Sequence, residues 1–303
     1  MITPIAAPWR RFHLYSFYID APEPAIIDTG VTESAAEVPA ALAAIGKRIE
    51  DVRWILLTHG HIDHIGGAHA LWEATGRRAK VVIAGADAEF LQSRQAHVDE
   101  YVNARGAYIG DPDGAAHVAE SGLAAISGEL QPDVTVADGD TIDLGGGISV
   151  RVVAIPGHTP GSVAYLLDGH VFVGDAVQVH GAANGFPGFV DPDGYRDSLV
   201  RLRDEVRPTH LYLGHPYRNR DGAPYGVVLD EAQAREALEQ SIDLEARVRE
   251  AASQHPPVDT DSPHSPFADA AAALGYTGDP TLEPSPFFTT MHGYRMLQQG
   301  VPQ

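Results

Sequence analysis

The chain has 303 residues, 44% of them hydrophobic and 20% charged, a balance that excludes wholesale disorder and supplies enough apolar side chain for a large core. Its 21 Lys and Arg stand against 41 Asp and Glu, and the resulting net charge of −20 argues against nucleic acid or an anionic membrane surface as the main partner. With no cysteine, disulfides, thiolate metal sites and cysteine nucleophiles are excluded, so any metal must be held by nitrogen and oxygen donors, for which 15 histidines are available.

In chain order, Met1 to His13 carries Arg10 and Arg11 without a following apolar run, which does not read as a signal peptide. No stretch reaches the roughly 18–20 apolar residues of a membrane span, so the expectation is a cytoplasmic protein. Phe12 to Ile19 and Ala25 to Ile27 read as a β-hairpin ending at Asp28-Thr29-Gly30. Residues 34–48 read as helix, 54–57 as a buried strand, 65–75 as a helix closed by Gly76, and 81–84 as another strand before a helical stretch from about Asp87. Residues 95–132 read as an inserted helical lid. Strands are expected at 134–136, 148–155, 163–167, 171–173 and 210–213, with a helix over 198–206. Strands mixed with helices over this length predict a layered α/β sandwich. After Gly226 the composition changes, with helical patches at 229–252 and 267–274 and an apolar end at 286–297.

The strongest chemical signal is Thr58-His59-Gly60-His61-Ile62-Asp63-His64. In an extended loop His59 and His61 point to one side, while Asp63 and His64 begin the next helix and turn toward a neighbouring point. A zinc ion takes three or four such donors at roughly 2.0–2.2 Å. Three further ligand-type residues, His158, Asp175 and His215, each follow an apolar strand and a glycine or Pro-Gly turn. If those strands share one sheet, the donors gather along one edge. His97 reads as a surface or packing residue, Asp28 as a turn residue or one that supports a ligand from behind, and Arg196, Arg201 and Arg203 as a solvated helix face.

The ordered set His59, His61, Asp63, His64, His158, Asp175 and His215 resembles the metallo-β-lactamase superfamily, across about residues 12–225. The resemblance implies a four-layer αβ/βα sandwich, with residues 1–225 as the catalytic domain, the insert at about 95–132, and 226–303 as a C-terminal helical extension. It also implies two divalent metals, zinc first, with manganese or iron admitted by the same donor set. His59, His61 and His158 would take one metal, Asp63, His64 and His215 the other, and Asp175 would bridge them. Asp63 would also orient a metal-bound hydroxide, which such a site generates at neutral pH.

Within the superfamily the bridging Asp resembles the glyoxalase-II and lactonase branches, so the expected reaction is hydrolysis of a small thioester or lactone. The alternatives are a mononuclear-iron persulfide dioxygenase and a phosphodiesterase of the same fold. Arg295 is the only Lys or Arg after Arg249, which weakens glutathione as the leaving group. Lactone hydrolases of this kind place a tyrosine three residues after the bridging Asp, where this chain has Gln178. Tyr195, Tyr217 and Asn184 are candidate donors to the oxyanion, and His180 a candidate pocket residue. The expected partner is a small acyl molecule, and the helix at 229–252 is open to a homodimer contact.

Overall fold

The computed structural model describes residues 1–9, 12–106, 108–110, 112–181, 185–279 and 286–301, without side chains at 8, 12, 101–106 and 112. Two six-stranded sheets form its centre. The first runs in chain order: β1 (Ile2–Trp9), β2 (Phe12–Ile19), β3 (Ala25–Ile27), β4 (Trp54–Leu56), β5 (Lys80–Ala84) and β6 (Val134–Val136). The second holds β7 (Thr141–Asp143), β8 (Ser149–Ala154), β9 (Val163–Leu167), β10 (His170–Phe172), β11 (His210–Tyr212) and β12 (Val228–Asp230).

Alternation along the short strands sorts side chains into layers. In β3, β4 and β5, Ile27, Leu56 and Val82 turn inward to meet Val152, Tyr165 and Phe172 of the second sheet. Ile26, Ile55, Val81 and Ile83 turn outward onto a helical layer. That layer contains α1 (Thr32–Ala35), α2 (Val38–Ala44), α3 (Ile62–Ile65), α4 (Ala68–Ala74) and α5 (Ala88–Gln92). The insert is a pair of packed helices, α6 (Arg94–Gly106) and α7 (Pro112–Ala125). On the far side, Val153, Ala164, Val171 and Leu211 pack against α8 (Pro192–Arg201), α9 (Glu231–Gln254), α10 (Ala268–Leu274) and α11 (Pro286–Gln298). The result is the four-layer α/β sandwich expected, with a C-terminal helical extension covering the second sheet.

Several boundaries differ from the sequence reading. The N-terminal segment is a full strand, β1, paired antiparallel with β2 from Ile2↔Ile19 to Trp9↔Phe12. The helix expected at 65–75 begins at Ile62 and breaks at Gly66-Gly67, because backbone crosses there. A Cβ at Gly66 would stand 2.6 Å from the Ala125 carbonyl, and one at Gly67 would stand 2.4 Å from that of Thr29. The stretch 34–48 is split into α1 and α2, and Pro39 lies in the first turn of the latter. α8 begins at Pro192, earlier than expected, because Asp191 caps it by accepting from the Asp193 and Gly194 amides. α9 opens on a capping box, Asp230 with Gln233, and buries the face carrying Ala234, Leu238, Ser241, Glu245, Val248 and Ala252. Arg196 keeps a solvated side chain, 41% exposed, yet it also donates to Glu245 at 2.7 Å, whose carboxylate is fully buried. Among the described residues no helix is long and apolar enough to cross a membrane.

Candidate metal centre

β3, β4 and β5 run parallel, as do β10 and β11, and β8 shares their direction because β9 lies antiparallel to both β8 and β10. The loops leaving these strands therefore emerge together at one edge. His59 and His61 follow β4, His158 follows β8, Asp175 follows β10 and His215 follows β11. Asp63 and His64 stand on α3, whose first turn is entered from His61.

Two clusters result, one of His59, His61 and His158 and one of Asp63, His64, Asp175 and His215. Within each, one donor atom per residue lies within 4.8 Å of the others. His59 Nε2 and His158 Nε2 are 3.2 Å apart. His215 Nε2 is 3.0 Å from Asp63 Oδ2 and 3.4 Å from Asp175 Oδ2. Asp175 also reaches toward the first cluster, its Oδ2 standing 4.0 Å from His158 Nε2. Glycines make the crowding tolerable: a Cβ at Gly214 would lie 2.4 Å from Asp175 Oδ1 and 2.7 Å from the His64 ring.

Four of the five imidazoles share one orientation, with Nδ1 held from outside and Nε2 turned inward. His59 Nδ1 meets Thr58 Oγ1 at 3.1 Å, and His64 Nδ1 meets Asp28 Oδ2 at 2.8 Å. His158 Nδ1 meets the Gly188 carbonyl at 2.6 Å, and His215 Nδ1 that of His13 at 3.2 Å. Such outer partners place the proton on Nδ1 and leave a lone pair on Nε2 for a metal. Asp28 is fully engaged, accepting also from the Thr58 amide at 2.8 Å and the Thr58 hydroxyl at 2.8 Å.

Electrostatics separate the clusters. Burial, then the neighbouring imidazoles, hold His59 and His61 well below the usual histidine range. Burial also lowers His158, although Asp175 opposes it. In the second cluster burial acts against charge on every member, yet the mutual attraction prevails. Asp175, Asp28 and Asp63 raise His64 well above the usual range, and Asp175 with Asp63 raises His215 to about 10. The same imidazoles hold Asp63 and Asp175 below the usual carboxylate range.

The donors fit a pair of divalent cations. His64 Nε2 and Asp175 Oδ1 are buried 3.2 Å apart, yet among the described residues neither has a partner in hydrogen-bond geometry, so both face a common point. The hydroxyls of Tyr195 and Tyr217 are likewise buried without a hydrogen-bond partner among the described residues. Tyr217 lies in the field of the cluster: after burial, Asp175 is what most raises its pKa, and Asp63 adds to it. The Tyr195 ring stacks on Phe189 with centroids 4.2 Å apart, and its backbone packs on Gly157, beside His158. His180 is half-buried, and the charges that bear on it are those of Arg247 and Arg220. Asn184 lies outside the described residues.

Two residues matter here that the sequence does not signal. Asp87, fully buried, accepts from the Gly60 amide, the Gly161 amide and the Thr159 hydroxyl, each at 2.7 Å. It joins the loop of His59 and His61 to that of His158. His97, on α6, is a buried imidazole edge-on to His61 and Phe90, with centroids 6.4 and 5.8 Å away, and burial lowers its pKa to about 4. A single histidine in an irregular insert carries no spacing pattern that would mark it.

The family described as the metallo-beta-lactamase superfamily matches residues 12–215. The chain is 31% identical over 261 residues to a hydroxyacylglutathione hydrolase of Rhodobacter capsulatus, a match covering 82% of this chain and 84% of that protein. It is 30% identical to the hydroxyacylglutathione hydrolase of Methylobacillus flagellatus over 55% of this chain, spanning 63% of that relative's length. Its fold is similar to that of a metallo-beta-lactamase family protein from Thermus thermophilus, with a TM-score of 0.68 and 21% identity over 99% of this chain and 93% of that one. The chain belongs to the metallo-beta-lactamase superfamily, and its two clusters form the dinuclear metal-binding site of a metal-dependent hydrolase of that type.

Proposed function

We propose that the chain hydrolyses a small thioester or lactone. The observation that carries this reading is the position of Asp175, a member of the carboxylate-bearing cluster whose Oδ2 stands 4.0 Å from His158 of the all-imidazole one. His59, His61 and His158 would hold one divalent ion and Asp63, His64 and His215 the other, with Asp175 shared between them. Zinc is the first candidate. When bound, the ions acidify water to give the nucleophile at neutral pH and take up the negative charge that develops on the acyl oxygen.

The protein's own groups do the rest. Asp63 sits between the second cluster and the open side, its side chain about a fifth exposed against nearly complete burial of the others. It orients the attacking water by accepting its hydrogen bond. The buried Tyr217 hydroxyl, beside Asp175, is a donor for the developing oxyanion, and Tyr195 is an alternative donor. The absence of cysteine agrees with a route that needs no protein nucleophile. The names of the curated relatives favour a thioester over a lactone.

Model thioesters and lactones should be turned over by protein holding two equivalents of metal, and chelation should abolish turnover. Protein that holds both equivalents and hydrolyses neither class would rule out the acyl substrate. Oxygen uptake with a persulfide on one bound iron would select the dioxygenase instead.

A further inference from the structure

His158 stands on a loop, and the orientation of its lone pair depends on what holds Nδ1. The acceptor there is the Gly188 carbonyl. Gly188 is gripped from two sides. Gln178 closes on it with both ends of its amide: Oε1 accepts from the Gly188 amide at 2.7 Å, and Nε2 donates to the Gly188 carbonyl at 2.9 Å. The same Nε2 lies 2.8 Å from His158 Nδ1. Thr290, fully buried on α11, grips the flanking groups. Its hydroxyl accepts from the Phe189 amide at 3.1 Å and donates to the Pro187 carbonyl at 2.8 Å. All four polar atoms of the peptides 187–188 and 188–189 are thus held by Gln178, Thr290 and His158.

Close packing of α11 on this loop is a second, independent observation. A Cβ at Gly293 would lie 2.4 Å from the Val190 carbonyl, so the helix lies directly on the backbone that follows Gly188. Phe287, Phe288, Met291 and Tyr294 anchor the helix in the outer core of the second sheet. α11 comes from the far end of the chain, outside the stretch 12–215 that matches the family.

We propose that Thr290 is a positioning residue for the first cluster: acting through the Gly188 carbonyl, it fixes the His158 imidazole on its metal, which makes the C-terminal extension a working part of the site. The inference rests on His158 being a ligand. Without the hydroxyl, the Pro187 carbonyl and the Phe189 amide are buried and unsatisfied, the loop must move to find partners, and the carbonyl on Nδ1 moves with it. Removal of a group that orients a ligand from outside weakens metal binding by about 10–100-fold.

The test is titration of the full-length, zinc-loaded protein with a competing chelator, reading the affinity of each bound ion in Thr290→Val, Thr290→Ser, His158→Ala and the parent. Thr290→Val should weaken one of the two ions by about 10–100-fold and leave the other as in the parent, while Thr290→Ser, which keeps the hydroxyl, should behave as the parent. If the valine variant does not fold, Thr290→Ala gives the same reading without added bulk. Parental retention of both ions, equal weakening of both, or failure of serine to restore binding would each overturn the inference. His158→Ala separates it from its premise. Loss of one ion there with none lost from the Thr290 variants refutes Thr290 alone, whereas retention of both ions by His158→Ala refutes the ligand assignment beneath it.

Discussion

The two clusters stand side by side but are supported in opposite ways. The second contains carboxylates of its own, and a buried aspartate touches one of its imidazoles directly: Asp28, at the end of β3, accepts from His64 Nδ1. The first contains only imidazoles, and its buried aspartate touches none of them. Asp87, just past β5, holds the Gly60 amide on one loop and Thr159 with Gly161 on the other. A carboxylate against a ligand ring fixes its tautomer and raises its basicity, so Asp28 acts on the metal through chemistry. A carboxylate against backbone amides fixes the distance between loops, so Asp87 acts through geometry. The difference predicts that loss of Asp28 shows first in metal binding and loss of Asp87 first in stability.

The largest effect is expected inside the second cluster. Asp63→Asn should lower hydrolysis by about 10²–10⁴-fold while the first cluster keeps its ion, as read from kcat and metal content together. Equal loss of both would mean that Asp63 serves mainly as a ligand for the whole pair. Asp28→Asn comes next. The amide leaves one acceptor for the Thr58 amide, the Thr58 hydroxyl and His64 Nδ1, and metal affinity at the second cluster should fall by about 10–100-fold, with a smaller fall at the first, which Asp28 reaches only through Thr58 and His59. A uniform fall would erase the distinction between the clusters. The smallest effect is expected for Asp87→Asn, measured by denaturant unfolding of metal-free protein. One of its backbone donors loses its acceptor, which costs about 1–3 kcal/mol. Parental stability combined with a large loss of metal would place Asp87 with Asp28 and remove the contrast between the two aspartates.

Much of the site is legible in the chain because its donors lie at strand ends flagged by glycine: Gly60, Gly157, Gly174 and Gly214 each adjoin a ligand. The supports are less so. Asp28 stands in a recognisable Asp-Thr-Gly turn, but Asp87 lies in an ordinary stretch, Ala86-Asp87-Ala88, where nothing local distinguishes a buried acceptor from a solvated cap. The same holds for Glu245, a charge on a polar helix that packing buries beneath the half-exposed Arg196. β1 escapes a reading by pattern because alternation in Ile2–Trp9 is interrupted by Pro4 and Pro8, which an edge strand tolerates.

What the sequence determined by itself is local: the order of the donors, the apolar runs that precede them and the absence of any thiol chemistry. These depend on residue type and on spacing within a few positions. Only the tertiary structure decided which distant residues share a point in space: Asp87 between two loops, and Thr290, from the last helix, behind the loop that holds His158. Long-range hydrogen bonds of that kind leave no period in the chain, because a buried threonine or aspartate satisfies its partners wherever packing delivers them.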